Sequence, residues 1–399
     1  MTPQRTITLW LFAAGSIISS SAYAQVQTPA PLSKPGATAP APAKSVTVPV
    51  PAQKPTASQP PTRLQLEQLA QLQARALAVF EIPGVVFTDV IERTGRFEIG
   101  VVNAGVGSRA RARLIELGIP TNIIDVVITR PIIPLQAPPA TLPKPPVQVQ
   151  QPLPTPHMQL PPQSLRDQIR PLRGGLQISS PVNGCTLGFI AVRAGVRGFV
   201  TNSHCTTTQG GTEGTTFGQP FSPPTSPTSV IGTEEADPAY PSCRSGKKQC
   251  RFSDSAWVRL ADGVTADLGG IVRTASPNTG SLTVTGIFRI VADVNAIAAV
   301  GDVANKVGRT TGWTQGPVTR TGVDTNFTGT NIVLRGQVFV FANSDHGDSG
   351  SPVFLLPGGD LSAFLLGILW GHDGAGTFIY SPLANVQRSD ELGPLSYGP

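Results

Sequence analysis

Two patterns of apolar and polar residues divide the chain. Leu64 to Phe80 carries Leu66, Leu69, Ala70, Leu72, Ala76 and Leu77 at roughly helical spacing with no internal glycine or proline, which predicts a short amphipathic helix. Val85 to Glu92 and Phe97 to Val102, separated by Thr94-Gly95, predict a hairpin. Ser108 can cap a second helix running to about Leu117, Gly118 and Pro120 stop it, and Asn122 to Thr129 reads as a third strand. From about Pro171 onward, short Val-, Ile-, Thr- and Phe-rich runs alternate with glycines. Gly188 to Val192, Gly198 to Thr201, Ala256 to Leu260, Ser281 to Val291, Asn331 to Phe341, Pro352 to Leu356 and Phe364 to Trp370 are the clearest. Runs of that spacing predict an all-β, antiparallel unit of ~200 to 250 residues.

Proline marks the expected boundaries. Val26 to Thr62 holds 10 prolines and Pro131 to Gln163 holds 12 of the chain's 40, with little apolar periodicity, so both stretches read as extended linkers. Arg5, the apolar run Ile7 to Ile18 and Ala22-Tyr23-Ala24 before Gln25 have the layout of a secretory signal peptide cleaved after Ala24. The run is shorter than the ~20 residues of a spanning helix, so no membrane association is expected after cleavage. The predicted order is a signal peptide (1–24), a linker (25–62), a small α+β unit (63–130), a second linker (131–171) and the all-β unit (172–399). The α+β unit would have a marginal core; its place upstream suggests a pro-region acting in cis, the alternative being a binding module.

Charge does not point to a polyanion partner. The net +6 divides into +7 over residues 1–171 and −1 over residues 172–399, so the basic excess lies outside the β unit. Arg109, Arg111 and Arg113 read as a solvated helix face, and no nucleic-acid partner is expected. Export would place the four cysteines in an oxidising compartment. Cys185 and Cys205 flank the region leading to His204, and Cys243 and Cys250 are close enough to staple one loop. A zinc site built from cysteines and His204 is the alternative, but there is no CxxC pair to support it. No metal, calcium site or organic cofactor is expected.

The candidate chemistry lies in two strings, Thr201-Asn202-Ser203-His204-Cys205 and Gly347-Asp348-Ser349-Gly350-Ser351-Pro352-Val353-Phe354. A serine hydroxyl is a poor nucleophile at neutral pH and needs a histidine base oriented by a carboxylate. Of the other histidines, His157 lies in the proline-rich stretch, His346 is too near Ser349 along a tight turn, and His372 follows Trp370-Gly371. Asp254 opens an apolar strand start 50 residues after His204, whereas Asp237, Asp262 and Asp267 precede no comparable strand.

With Gly184-Cys185-Thr186-Leu187-Gly188-Phe189, Ser253-Asp254-Ser255-Ala256-Trp257 and Gly308-Arg309-Thr310-Thr311-Gly312-Trp313, these strings occur in the order seen in the chymotrypsin-like serine proteases. Residues 172 to 385 resemble most the secreted bacterial branch, of the streptogrisin and alpha-lytic protease kind. The resemblance implies two packed antiparallel β-barrels with a cleft between them. It implies His204 as general base, Asp254 as orienting carboxylate and Ser349 as nucleophile, with backbone N–H groups of Gly347 and Ser349 on the substrate oxygen. It pairs Asp348 with Lys306. Substrate would run along Leu369-Trp370-Gly371, with Asn343, Gly371 and Gly376 bordering the primary pocket.

Asn343 is neutral, and glutamate-specific relatives carry histidine where this chain has Leu369, so the resemblance implies a neutral or apolar preference. The chain departs from the family at Asn202 and Ser203, which replace a small pair, and at Leu369, where a serine often supports the aspartate. Two common disulfides are missing and Cys243-Cys250 is new. The expected function is a secreted, monomeric serine endopeptidase made as a zymogen, acting on protein or peptide substrates and cut near Arg170 to Gly175. The alternative is a catalytically silent homologue that binds peptides or proteins.

Overall fold

The computed structural model describes residues 62–135, 137, 163–221, 229–243, 246–291, 296–359 and 361–398. The expected signal peptide, the first proline-rich stretch, most of the second and His157 lie outside the described residues.

The N-terminal region follows its apolar pattern. Helix α1, Arg63–Ala76, tightens into a 3-10 turn over Leu77–Glu81. Strands Val85–Ile91 and Arg96–Val101 form the expected hairpin, helix α2 spans Ala104–Glu116, and strand Ile124–Ile128 lies parallel to Arg96–Val101. Asn103, not Ser108, caps α2: its side-chain oxygen accepts the Val106 N–H at 3.0 Å. Asparagine ranks with serine as a cap, and here it precedes the first helical turn. Ser108 lies within the helix and donates its hydroxyl to the Ala104 carbonyl. Val79, Phe80, Phe97, Ile99, Ala110 and Leu114 close the local core. Arg111 spends its guanidinium on the Ile124 and Thr121 carbonyls, and Arg113 pairs with Glu116.

The remainder is almost entirely β. A seven-stranded sheet runs in the order Gly184–Thr186, Gln177–Ser179, Thr216–Gly218, Val230–Ala236, Ala256–Leu260, Val196–Thr201 and Phe189–Arg193. Its centre is tightly packed: a Cβ on Gly198 would come within 2.4 Å of both the Trp257 ring and the Val258 carbonyl. Among the described residues the second sheet has fourteen strands, three of them from the N-terminal region. Val85–Ile91 pairs antiparallel with Gly312–Asn326, matching Phe87 to Thr325 and Thr88 to Asp324. Arg320 reaches across this seam to Asp89 at 2.8 Å and also to Glu98, with its guanidinium over the Phe87 ring. The expected small unit is therefore continuous with the β unit through shared backbone hydrogen bonds.

The second linker is also structured at both ends. Ile133–Pro134 pairs antiparallel with the strand Ser362–His372. Leu165 and Ile169 enter the main apolar core, and Leu172–Gly174 pairs parallel with Ala266–Thr274. That core joins both sheets through Ile178, Phe189, Trp257, Phe288, Phe354 and Ile368. Among the described residues no helix is long and apolar enough to cross a membrane.

Candidate active site

The serine turn is shaped by glycine and tied down by a buried carboxylate. Gly347 has φ 97, and a Cβ there would meet Arg309 Nη1 at 2.3 Å, so no other residue fits without displacement. Asp348 is fully buried and its oxygens accept from Lys306 Nζ at 2.9 Å, Thr310 N–H at 2.9 Å, Thr311 Oγ1 at 2.6 Å and Asp345 N–H at 3.1 Å. Burial alone would raise the Asp348 pKa. The Lys306 charge and the hydrogen bonds outweigh it and hold the carboxyl below its ordinary value. Thr186 links the turn to the first sheet: its N–H donates to the Ser349 carbonyl and its hydroxyl to the Gly347 carbonyl.

His204 lies on a one-turn 3-10 helix, Ser203–Cys205, at the end of strand Val196–Thr201. Its Nε2 is 2.7 Å from Ser349 Oγ, and its Nδ1 is hydrogen-bonded to the Asp254 carboxylate. The three side chains converge from positions 145 and 50 residues apart and all are buried. Asp254 Oδ1 accepts further from the His204 N–H at 3.2 Å, Tyr240 Oη at 3.2 Å and Gln209 Nε2 at 3.4 Å. Burial pushes its pKa up, but the His204 charge and hydrogen bonds overcome that and leave the pKa lowered.

Leu369 does not take the place of a supporting serine. It is buried in an apolar cluster, and Tyr240 and Gln209 hold the aspartate from another direction. Asn202 and Ser203 carry polar work: Asn202 donates to the Asp254 carbonyl at 2.7 Å, and Ser203 donates its hydroxyl to Asp237 at 2.7 Å. Arg251, also buried, joins Asp237 at 2.7 Å to Glu391 at 2.7 Å. Glu391 in turn accepts the N–H of Phe252 at 2.7 Å and the hydroxyl of Ser253 at 2.7 Å. One guanidinium thus ties the histidine turn to the loop that presents Asp254. Asp237, considered as a rival to Asp254, serves this scaffold; Asp267 pairs with Arg173 and Arg289, and Asp262 lies on the surface near Arg259.

Residues 132–135 and Ala137 lie against the serine turn and its neighbouring strands. The Leu135 N–H donates to the Trp370 carbonyl at 3.2 Å, and the Leu135 carbonyl accepts the Gly347 N–H at 2.7 Å. Pro134 and Ile133 pair with Gly371 and His372, Thr328 N–H holds the Ile132 carbonyl at 3.1 Å, and Gly184 N–H holds that of Ala137 at 2.9 Å. The paired edge is Trp370 to His372, one residue later than expected, because both backbone groups of Leu369 are engaged with Gly350 and Ser351. Gly371 allows the approach, since a Cβ there would be 2.9 Å from the Ile133 carbonyl. Asn343 is exposed and its carbonyl accepts from Thr314 Oγ1; Gly376, at φ 96, faces the Phe341 ring. Phe327 stacks on Trp370 and meets His204 edge-on.

Two disulfides join Cys185 to Cys205 and Cys243 to Cys250. Cys185, His204 and Cys205 group their donor atoms within 4.8 Å, but both sulfurs are spent on each other and offer no thiolate to a metal.

Over about half its length the chain matches solved structures of secreted bacterial chymotrypsin-like serine proteases. A glutamic-acid-specific serine protease that uses a histidine triad in substrate binding is 27% identical, with 53% of this chain and 94% of that one covered and a TM-score of 0.38. Nocardiopsis protease is 20% identical over 57% and 98% of the two chains with a TM-score of 0.40, and Thermobifida fusca protease A is 20% identical over 53% and 91% with a TM-score of 0.38. No protein-family model matches the sequence, and no protein of curated function does either.

Proposed function

We propose that the chain is a secreted serine endopeptidase made as a zymogen, with residues 172–399 as the protease unit and residues 63–130 as its pro-region. One observation carries the reading: a buried imidazole lies between a serine hydroxyl at 2.7 Å and a carboxylate whose pKa is lowered. The Asp254 hydrogen bond fixes the proton on Nδ1, which leaves the Nε2 lone pair facing Ser349. Ser349 attacks a peptide carbonyl while His204 takes its proton, and His204 then protonates the leaving amine. The negative charge on the carbonyl oxygen is met by the N–H groups of Gly347 and Ser349, which the Asp348–Lys306 pair holds in place; losing one such donor costs about 10² to 10³ in rate. The two disulfides support export, because such bonds persist in oxidising compartments.

A fluorophosphonate labels only an activated serine, so the secreted protein is expected to take the label and Ser349→Ala to lose it. Asp254→Asn is expected to lower turnover by about 10⁴ through the wrong imidazole tautomer. An unlabelled wild-type protein that still binds peptides would instead make it a silent homologue.

A further inference from the structure

We infer that residues Ile132 to Ala137 are this protein's own first substrate, cut after Leu135, and that the primary pocket accepts an aliphatic side chain of leucine size. This inference rests on the endopeptidase reading and specifies its substrate. The segment enters antiparallel to the edge Trp370 to His372, so it adds a strand to the sheet as a bound peptide does. Its Leu135 carbonyl faces the Gly347 N–H, two residues from Ser349 along the turn. Beyond that carbonyl the chain reaches the other sheet, where Gly184 holds Ala137. The carbonyl of the bond following Leu135 is therefore held on a donor of the serine turn, the placement that attack on that bond requires.

The Leu135 side chain is fully buried in an apolar cluster that includes Val340, Ala342, Leu369 and Phe378. A carboxylate placed there would lose its hydration without a partner. The region near Arg170 to Gly175, expected from sequence to be cut, is a poor competitor. Ile169 and Leu172 are buried, and Leu172 to Gly174 is already paired within the β unit.

In the cut, Ser349 Oγ bonds to the Leu135 carbonyl carbon as its proton passes to His204 Nε2. The carbon–nitrogen bond to residue 136 breaks, and that nitrogen takes the proton. Water then releases Leu135 as a carboxylate and restores Ser349, so one water is consumed and two chain ends form.

The test follows the termini of the secreted full chain by N-terminal sequencing and intact mass, beside fluorophosphonate labelling. The wild type is expected to begin a new chain at Gln136, and Ser349→Ala to remain joined there. The processed protein is then given the peptide Ile-Ile-Pro-Leu-Gln-Ala, with expected cleavage between Leu and Gln and about 10²-fold slower cleavage when Asp replaces Leu. In the full chain, Leu135→Met should preserve the cut and Leu135→Asp should slow it; the free peptides give the same comparison if Leu135→Asp does not fold. A protein that takes the label but is first cut elsewhere, or that cleaves both peptides equally, overturns the inference and leaves the endopeptidase reading standing. Absence of both label and cutting overturns both.

Discussion

Ion pairs anchor both the serine turn and the seam that holds the N-terminal region, but the two anchors are built differently. Asp348 and Lys306 are wholly removed from water, and the carboxylate is surrounded by further donors from Thr310, Thr311 and Asp345. At the seam, Arg320 keeps 26% of its side chain exposed while reaching Asp89 and Glu98. Water and salt can compete for a half-open pair and cannot reach a closed one. The turn beside the candidate nucleophile is thus closed to water on both partners, whereas the seam buries its two acids and leaves the arginine partly open to solvent.

Breaking the closed pair should have the larger effect. Lys306→Met leaves Asp348 as a buried charge without its cation, a change that costs about 3 to 5 kcal/mol in comparable sites. The denaturation midpoint should fall accordingly. Adding Asp348→Asn to the same chain should recover much of that loss, because both charges are then gone. Equal loss in the single and double variants would show that the lysine matters for its packing and not for its charge.

Opening the seam should cost less and act locally. Arg320→Ala strips the cation from Asp89 and Glu98, with an expected loss of ~2 kcal/mol confined to the strand pair Val85–Ile91 and Gly312–Asn326. Hydrogen exchange at Phe87, Thr88 and Thr325 should quicken tenfold or more, while exchange in Val196–Thr201 and Ala256–Leu260 stays as it was. Uniform acceleration across both sheets would erase the distinction between the two anchors.

How far the sequence foretold this arrangement depended on whether the signal was local. Ser349 and His204 stand in short strings whose small residues are needed for turns, and the family resemblance points to Lys306 through the neighbouring Gly-Arg-Thr-Thr-Gly string, so all three could be picked out before any fold was known. Tyr240, Gln209 and the Arg251 junction to Asp237 and Glu391 could not. They meet Asp254 and His204 through contacts as distant as 140 residues in sequence, and no string marks them. Ile132 to Leu135 failed for another reason. An extended proline-rich segment has the same composition whether it hangs in solvent or lies as an added strand in a groove. The N-terminal hairpin was visible from its alternation, but its junction with Gly312–Asn326 was not, because edge pairing is made by backbone groups common to all residues.

A third buried acid offers the finest test, since it has burial without a cation. Glu234 lies on strand Val230–Ala236 with 2% exposure; one oxygen accepts the Thr215 N–H at 3.0 Å and the other has no partner. Burial, helped by the nearby charges of Glu213 and Asp237 and opposed by the Thr215 bond, raises its pKa from 4.5 to about 7. The native chain therefore holds this proton more tightly than the unfolded one. Stability from this group is fully present below pH 4.5, falls as the unfolded form ionises, and is lost once pH passes about 7. Glu234→Gln keeps the shape and removes the titration, so its stability should vary less between pH 4.5 and 7. At pH 8 it should exceed the wild type by about 1 kcal/mol, the size of an ordinary single substitution. Denaturant midpoints at several pH values check both statements. An unchanged slope would mean that water reaches Glu234, and that burial without a counter-charge is not what separates it from Asp348.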